Sequence, residues 1–365
     1  MPLKVMHLLS SHQYSGAEHV AVDIIRLLSP EFQGIYVSPR GPIQDMLEQK
    51  DVIYQGIPTF NYRAIWKMLS ELHPDIIHAH DFRASCMAAL LPFRGRIISH
   101  LHNNNVWARQ KNLRTCFYTS LLWRFHKVIV VSKPVIDEFA FSRWLRKKAV
   151  IIHNIVDEHE ICCQEGKPSP KESAPIDFLF VGRLAEQKNP LRFLRLIAGV
   201  KKIKPHLRAV VVGDGPLMGA MQEAIYQLGL RDCVYLAGFQ ENPYVYMTQA
   251  DMLLIPSLWE GFGLVALEAM LLGCQVLATP VGGLQSLVGG FEERWICQSD
   301  DDFIRQMLRP QKKEKKKIQA YARQVNDIEG FKASWRAIYW GKESVPCASY
   351  ISLLFPILVV RRCIF

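Results

Sequence analysis

Short apolar runs alternate with longer amphipathic stretches over most of the chain. Residues 5–9, 34–37, 76–79, 96–100, 128–131 and 149–152 are rich in Val and Ile and bounded by Gly, Pro or polar residues. Nearly continuous runs of this kind predict strands buried on both faces of a parallel sheet. Between them, Val20, Ile24, Leu27 and Leu28 share a face at helical spacing within 17–28, and residues 84–91 and 117–125 read the same way. A polar, Pro- and Ser-bearing stretch at 163–175 breaks the alternation and predicts a linker. Beyond it, strands are expected at 178–181, 209–212, 233–236, 252–255 and 275–278, and helices at 190–202, 217–228 and 265–272. Two βα arrays joined by a polar hinge imply an α/β protein of two Rossmann-like domains. The expected division is an N-terminal domain over 1–165, a linker over 166–175 and a C-terminal domain over 176–327. A helix over 328–340 and a tail over 341–365 follow.

Length and composition agree with this picture. A chain of 365 residues suits two cores, and 49% hydrophobic with 21% charged content lies in the globular range. The nine cysteines are odd in number and mostly isolated, and the adjacent Cys162-Cys163 has no metal-ligand spacing, so a reducing compartment is expected. No secretory signal or membrane-spanning run is read, which points to a cytoplasmic protein. The apolar run at 350–360 is short, contains Pro356 and precedes Arg361-Arg362; it is expected to be a packed or loosely ordered terminus.

The net charge of +10 is concentrated between Trp107 and Lys148, where ten Lys or Arg face only Asp137 and Glu138. Such a segment favours anionic partners, although it also fits a plain solvated face. Its interleaved Trp107, Phe117, Tyr118 and Trp123 suggest peripheral contact with an anionic membrane. No nucleic-acid-binding motif is present, so a nucleic-acid partner is not expected.

In paired α/β sheets, ligands bind where strands end and helices begin. Four such loops carry chemistry. Ser15-Gly16-Ala17-Glu18 follows the first strand, and Gly16 would allow close backbone approach. In the loop Gly182-Arg183-Leu184-Ala185-Glu186-Gln187-Lys188, two cations five residues apart precede a helix opening at Pro190, an arrangement suited to a diphosphate. Gly213-Asp214-Gly215-Pro216 is a further phosphate-side turn. It lacks the dinucleotide fingerprint, which argues against a dehydrogenase. In Glu260-Gly261-Phe262-Gly263-Leu264, an acid able to accept sugar hydroxyls precedes backbone amides and a helix start, and Glu268 lies two turns further on.

Glu260 and Glu268 with Gly-Phe-Gly-Leu between them resemble the signature of the retaining GT-B glycosyltransferases of family 4, the group 1 glycosyltransferases. Ser15–Glu18, Val131-Ser132, His153–Asp157 and Gly182-Arg183 with Lys188-Asn189 agree with that resemblance, which runs from Lys4 to Trp340. It implies a GT-B fold with a cleft between the domains and a last helix crossing back to the first. It also implies transfer of a hexose-type sugar from a nucleotide-sugar donor to a glycan or lipid-linked acceptor, with retention and without metal or other cofactor. Arg183 and Lys188 would hold the diphosphate, Glu260 with Gly261, Phe262, Gly263 and Leu264 the sugar, and Glu268 the ribose. Gly16, Gly182, Gly213 and Gly215 would line the donor cleft, and His102 would contact the sugar.

His100 is expected on the opposite side of its strand from His102. His78 and His80 share a face, but no third ligand is evident, so no metal site is expected. Asp300-Asp301-Asp302 is read as capping a helix that begins near Phe303. After Gly282-Gly283 the family usually has Pro-Glu, where this chain has Leu284-Gln285, and the stretch 284–296 is compressed. That departure motivates the rival reading, a nucleotide-sugar-binding protein of the same fold without efficient transfer.

Overall fold

The computed structural model describes residues 2–13, 15–158, 161, 175–309 and 314–341. Cys162-Cys163, all but the last residue of the expected linker, and the tail after Gly341 lie outside the described residues. Two wholly parallel sheets organise the rest. The first has seven strands in the order β3-β2-β1-β4-β5-β6-β7 and the second five in the order β10-β9-β8-β11-β12.

In the first sheet, β1 (Leu3–Leu8) pairs with β2 (Phe32–Pro39) on one side and β4 (Ile76–Ala79) on the other. β5 (Arg96–Leu101), β6 (Lys127–Val130) and β7 (Ala149–Ile151) extend it, and β3 (Tyr54–Ile57) forms the opposite edge. In the second, β8 (Ile176–Val181) is central between β9 (Ala209–Val212) and β11 (Ala250–Ile255); β10 (Val234–Gly238) and β12 (Gln275–Ala278) are the edges. Order reverses beside β1 and beside β8, so each sheet has a switch point above its central strands, where ligands bind in doubly wound folds.

The apolar runs account for these strands: every residue of β4 and β9 is buried. β3 escapes the apolar pattern because Tyr54-Gln55-Gly56-Ile57 is an edge strand with only Ile57 buried. The helix expected over 117–125 starts earlier, at Leu113–Ser120, where Asn112 and Thr115 form a capping box; a 3-10 turn at Leu122–Arg124 follows. The three aspartates form the first turn of the helix Asp300–Met307, and the cap is Ser299, whose hydroxyl accepts from the Asp302 N–H at 3.1 Å. Acidic groups there complement the helix dipole.

The last described helix, Ile328–Trp340, packs on the first sheet although the chain has already passed through the second. Phe331, Trp335, Ile338 and Tyr339 are buried in one cluster with Val5, Ile24, Phe32, Ile76, Ile98 and Ile129. Arg336 and Trp340 clamp its outer face by donating to the Glu31 carboxylate at 2.7 and 3.1 Å. Asn326, just before it, accepts from the Val156 N–H at 2.8 Å and donates to the Val156 carbonyl at 2.9 Å, so this crossing is tied to the segment after β7.

Candidate active site

The strand ends of both sheets face one cavity of about 980 Å³. From the first sheet come Gly16 after β1, His80 after β4 and His102 after β5. From the second come Gly182, Arg183 and Lys188 after β8, Gly213 and Gly215 after β9, and Glu260, Gly261, Phe262, Gly263, Leu264 and Glu268 after β11. The cavity therefore brings together every site residue named from the sequence.

On the second wall, the loop after β8 stacks on the loop after β9. Gly213 has φ +141°, and a Cβ there would lie 2.0 Å from the Gly182 carbonyl oxygen, so only glycine permits this approach. The helix Leu264–Leu271 opens at Gly263, with its N-terminal end in the cavity wall. Arg183 is exposed, and no ion pair with it forms among the described residues. Lys188 Nζ donates to Glu260 Oε1 at 2.6 Å. Glu260 is 5% exposed, and the same oxygen accepts from Ser257 Oγ at 2.8 Å. Thr279 holds Ser257 in turn, its hydroxyl donating to the Ser257 carbonyl at 2.7 Å. Two residues read separately from the sequence thus form one oriented ion pair with its carboxylate buried.

The two walls touch at Gly261. A Cβ there would lie 1.8 Å from the His102 carbonyl oxygen, and the Ser132 hydroxyl donates to the Gly261 carbonyl at 2.7 Å. Gly16 meets Leu264 across the same seam, at 3.9 Å from where its Cβ would stand. The substituted position Leu284 is fully buried against Gly263, whereas Gln285 is exposed and does not line the cavity.

The first wall is built on histidines. His100 and His102 lie on the same side of β5, their ring centroids 3.8 Å apart, which corrects the expectation that they diverge: a period of two puts residues i and i+2 on one face. His78 and His80 do gain neighbours, since His7 from β1 and His102 from β5 bond to His80 at 2.9 and 3.1 Å. Groups of three with ligand spacing therefore exist, at His7, His78 and His80 and at His80, His100 and His102, which the sequence reading missed. Burial pushes His7 and His102 down to about 3 and holds His78, His80 and His100 well below the usual range. These imidazoles are neutral at physiological pH.

Trp107, expected on a membrane face, and Arg109 and Glu138, read only as part of the basic segment, instead line the first wall. Arg109 pairs with Glu138 at 2.9 Å, and Asn104 donates to the same carboxylate at 2.8 Å. Their loops carry no glycine or strand-end signal of the kind that marked the other wall.

Two parallel-sheet domains whose strand ends face one cleft define a GT-B protein. Residues 14–160 match Glycosyltransferase Family 4, and residues 164–325 match Glycosyl transferases group 1. Two uncharacterized glycosyltransferases of Methanocaldococcus jannaschii are similar. MJ1178 is 30% identical over 66% of this chain and 69% of its own, and MJ1059 is 27% identical over 59% and 58%. The chain thus spans under two thirds of the length of MJ1059. The UDP-Gal:alpha-D-GlcNAc-diphosphoundecaprenol alpha-1,3-galactosyltransferase of Escherichia coli is 23% identical over 84% of this chain and 87% of its own. The crystal structure of Anabaena Alr3699/HepE in complex with UDP and glucose superposes with a TM-score of 0.81, covering 93% of this chain and 99% of that one at 20% identity. The chain belongs to the group 1 glycosyltransferases.

Proposed function

We propose that this protein transfers a hexose-type sugar from a nucleoside-diphosphate sugar to a hydroxyl of a glycan or lipid-linked acceptor, with retention of configuration and without a metal. The convergence of Arg183, the Lys188–Glu260 pair, the Gly261–Gly263 backbone and His102 on one cavity carries the reading. Arg183 and Lys188 would hold the diphosphate and offset the charge that grows on it as the sugar leaves. Glu260 and the amides of Gly261 and Gly263 would fix the sugar, Glu268 the ribose, and His102 would meet the sugar from the opposite wall. The bond from the sugar C1 to the diphosphate oxygen breaks as the acceptor oxygen bonds to the same face of C1. The acceptor proton passes to the departing diphosphate. Closure of the walls at Gly261 would keep water from competing as acceptor.

The lipid-linked acceptor draws support from the E. coli relative, whose name carries a diphosphoundecaprenol substrate. A surface on the first domain supports it too. Leu113 and Phe117, one turn apart on their helix, are 90% and 46% exposed, and Trp123 is 74% exposed, whereas Tyr118, expected on this face, is fully buried with its hydroxyl bonded to Ser99. Arg114 and Lys147, both exposed, lie over Trp107 and Trp144 at 5.8 and 4.9 Å. Aromatic rings interleaved with cations suit the interface of an anionic bilayer. Among the described residues no helix is long and apolar enough to cross one.

A thermal-shift series with UDP, GDP, ADP and their sugar conjugates tests the donor side. A rise with one nucleotide class, lost in Lys188→Ala, is expected; no rise with any of them would overturn the donor site. Product NMR then reads the anomeric configuration, and an inverted product would overturn retention. Donor binding with hydrolysis but no transfer would favour the rival reading that Leu284-Gln285 motivates.

A further inference from the structure

The histidines behind the first wall form one continuous hydrogen-bonded string. His102 Nε2 meets His80 Nδ1 at 3.1 Å, and His80 Nε2 meets His7 Nδ1 at 2.9 Å. His7 Nε2 meets the Tyr339 hydroxyl at 3.5 Å, its longest link. The same hydroxyl meets His78 Nδ1 at 2.8 Å, and His78 Nε2 meets His100 Nδ1 at 3.2 Å. The two ends, His102 Nδ1 and His100 Nε2, are buried nitrogens without a partner among the described residues. His7, His78, His80, His100 and Tyr339 are all at most 1% exposed.

A neutral imidazole has one donor and one acceptor nitrogen, and a hydroxyl gives one proton and takes another. Every link joins an ε nitrogen or the hydroxyl to a δ nitrogen or the hydroxyl, so one choice propagates. If His102 carries its proton on Nε2, then His80, His7, His78 and His100 must do so as well. If it carries the proton on Nδ1, all five do. A mixed string would set two donors or two lone pairs against each other among groups at most 1% exposed, where the mismatch is costly. A metal ion fits less well. In the group His7, His78 and His80 both nitrogens of each ring are taken by these links, and His78 and His80 stack with centroids 3.9 Å apart; in the group His80, His100 and His102 the free nitrogens are only the two ends of the string.

We infer that His80, His7, Tyr339 and His78 are positioning residues that tie His102 to one tautomer shared by all five histidines, so that the returning helix couples the proton on His102, beside the donor cleft, to the rings behind it. Its catalytic consequence rests on the proposed contact of His102 with the sugar. The tautomer itself does not, and can be read without any substrate. Deep burial, which depresses the histidines, keeps a charged ring from scrambling the string, and the Tyr339 hydroxyl stays protonated for the same reason.

Ring-nitrogen NMR of the 15N-labelled protein, free of nucleotide, tests this. All five histidines are expected in one shared tautomer, and Tyr339→Phe is expected to leave them mixed while near-native circular dichroism persists. With donor and acceptor in hand, the variant should lose about tenfold in kcat with donor KM changed by less than about twofold. Different tautomers in the unmodified protein, a uniform set that survives Tyr339→Phe, or a stoichiometric transition metal in the purified protein would each overturn the inference. Failure of transfer on every acceptor would strike the proposed function and leave the tautomer result standing.

Discussion

The second wall of the cleft keeps its charge within reach: Arg183 is exposed, and the Lys188–Glu260 pair lies at the mouth of a helix entered through Gly263 at φ +97°. The first wall pairs its Arg109 with Glu138 and is backed by five histidines that carry no charge, because each is desolvated beyond its capacity to hold a proton. The difference follows what each side would meet. A leaving diphosphate gains anionic character, so fixed cations beside it act on the transition state. A hexose is neutral and needs hydrogen bonds of defined direction. Rings whose partners are fixed supply direction, and rings that cannot ionise do not repel the cations opposite.

Breaking the charged wall should have the largest effect. Lys188→Ala or Glu260→Ala is expected to cost about 100-fold or more in kcat, measured as sugar transfer. Lys188→Ala also strands a buried carboxylate; because the lysine side chain is itself 23% exposed, the loss of stability should fall at about 3 kcal/mol or less. Equal transfer by both variants would remove the charged wall from the chemistry.

Prising the walls apart comes next. Gly261→Ala cannot keep the His102 carbonyl where it stands, so transfer should fall about tenfold or more while nucleotide binding on the second wall persists. Parallel loss of both would show that Gly261 serves the second wall alone.

The neutral wall should show itself in acid. Each of the five histidines binds a proton in the unfolded chain below its ordinary value near 6.5, whereas the folded ring resists protonation, to about 3 for His7 and His102. Folded pKa values lie below the unfolded ones and the neutral form is the folded one, so stability is full above about pH 6.5 and falls as pH drops below it. The expected slope is about 1.4 kcal/mol per pH unit for each histidine. Urea midpoints between pH 7 and 5 should therefore collapse steeply, and replacing His7 should flatten the slope by about one proton. A flat profile would mean that these rings take up protons in the folded state as readily as in the unfolded chain.

Smallest is the membrane face. Leu113→Asp with Trp123→Asp should weaken sedimentation with anionic vesicles by about 2 kcal/mol or more and leave the nucleotide thermal shift unchanged.

The charged wall was legible because its chemistry is local. Gly182 to Lys188 and Glu260 to Glu268 each put strand end, glycine and charged side chain within a few consecutive residues. The neutral wall was only partly so, because its contacts join residues up to 332 positions apart. Part of it was within reach: His78/His80 and His100/His102 each follow the strand period, and only the misplacement of His100 hid the cluster. His7 and Tyr339 needed the sheet order, which sets β1 beside β4 and lays the last helix across both. The Lys188–Glu260 pair was missed for a related reason: each residue was assigned to a ligand, and neither to the other.

The returning helix has a consequence for the order in which the molecule can be made. Phe331, Trp335, Ile338 and Tyr339 fill one face of the first domain, yet they leave the ribosome only after the whole second domain. The second domain, from β8 to the helix Lys315–Val325, can complete itself as it emerges, whereas the first must wait with an apolar face uncovered. Synthesis stalled before residue 328 would thus leave the earlier-made half unfinished and in need of a chaperone, and the later-made half closed.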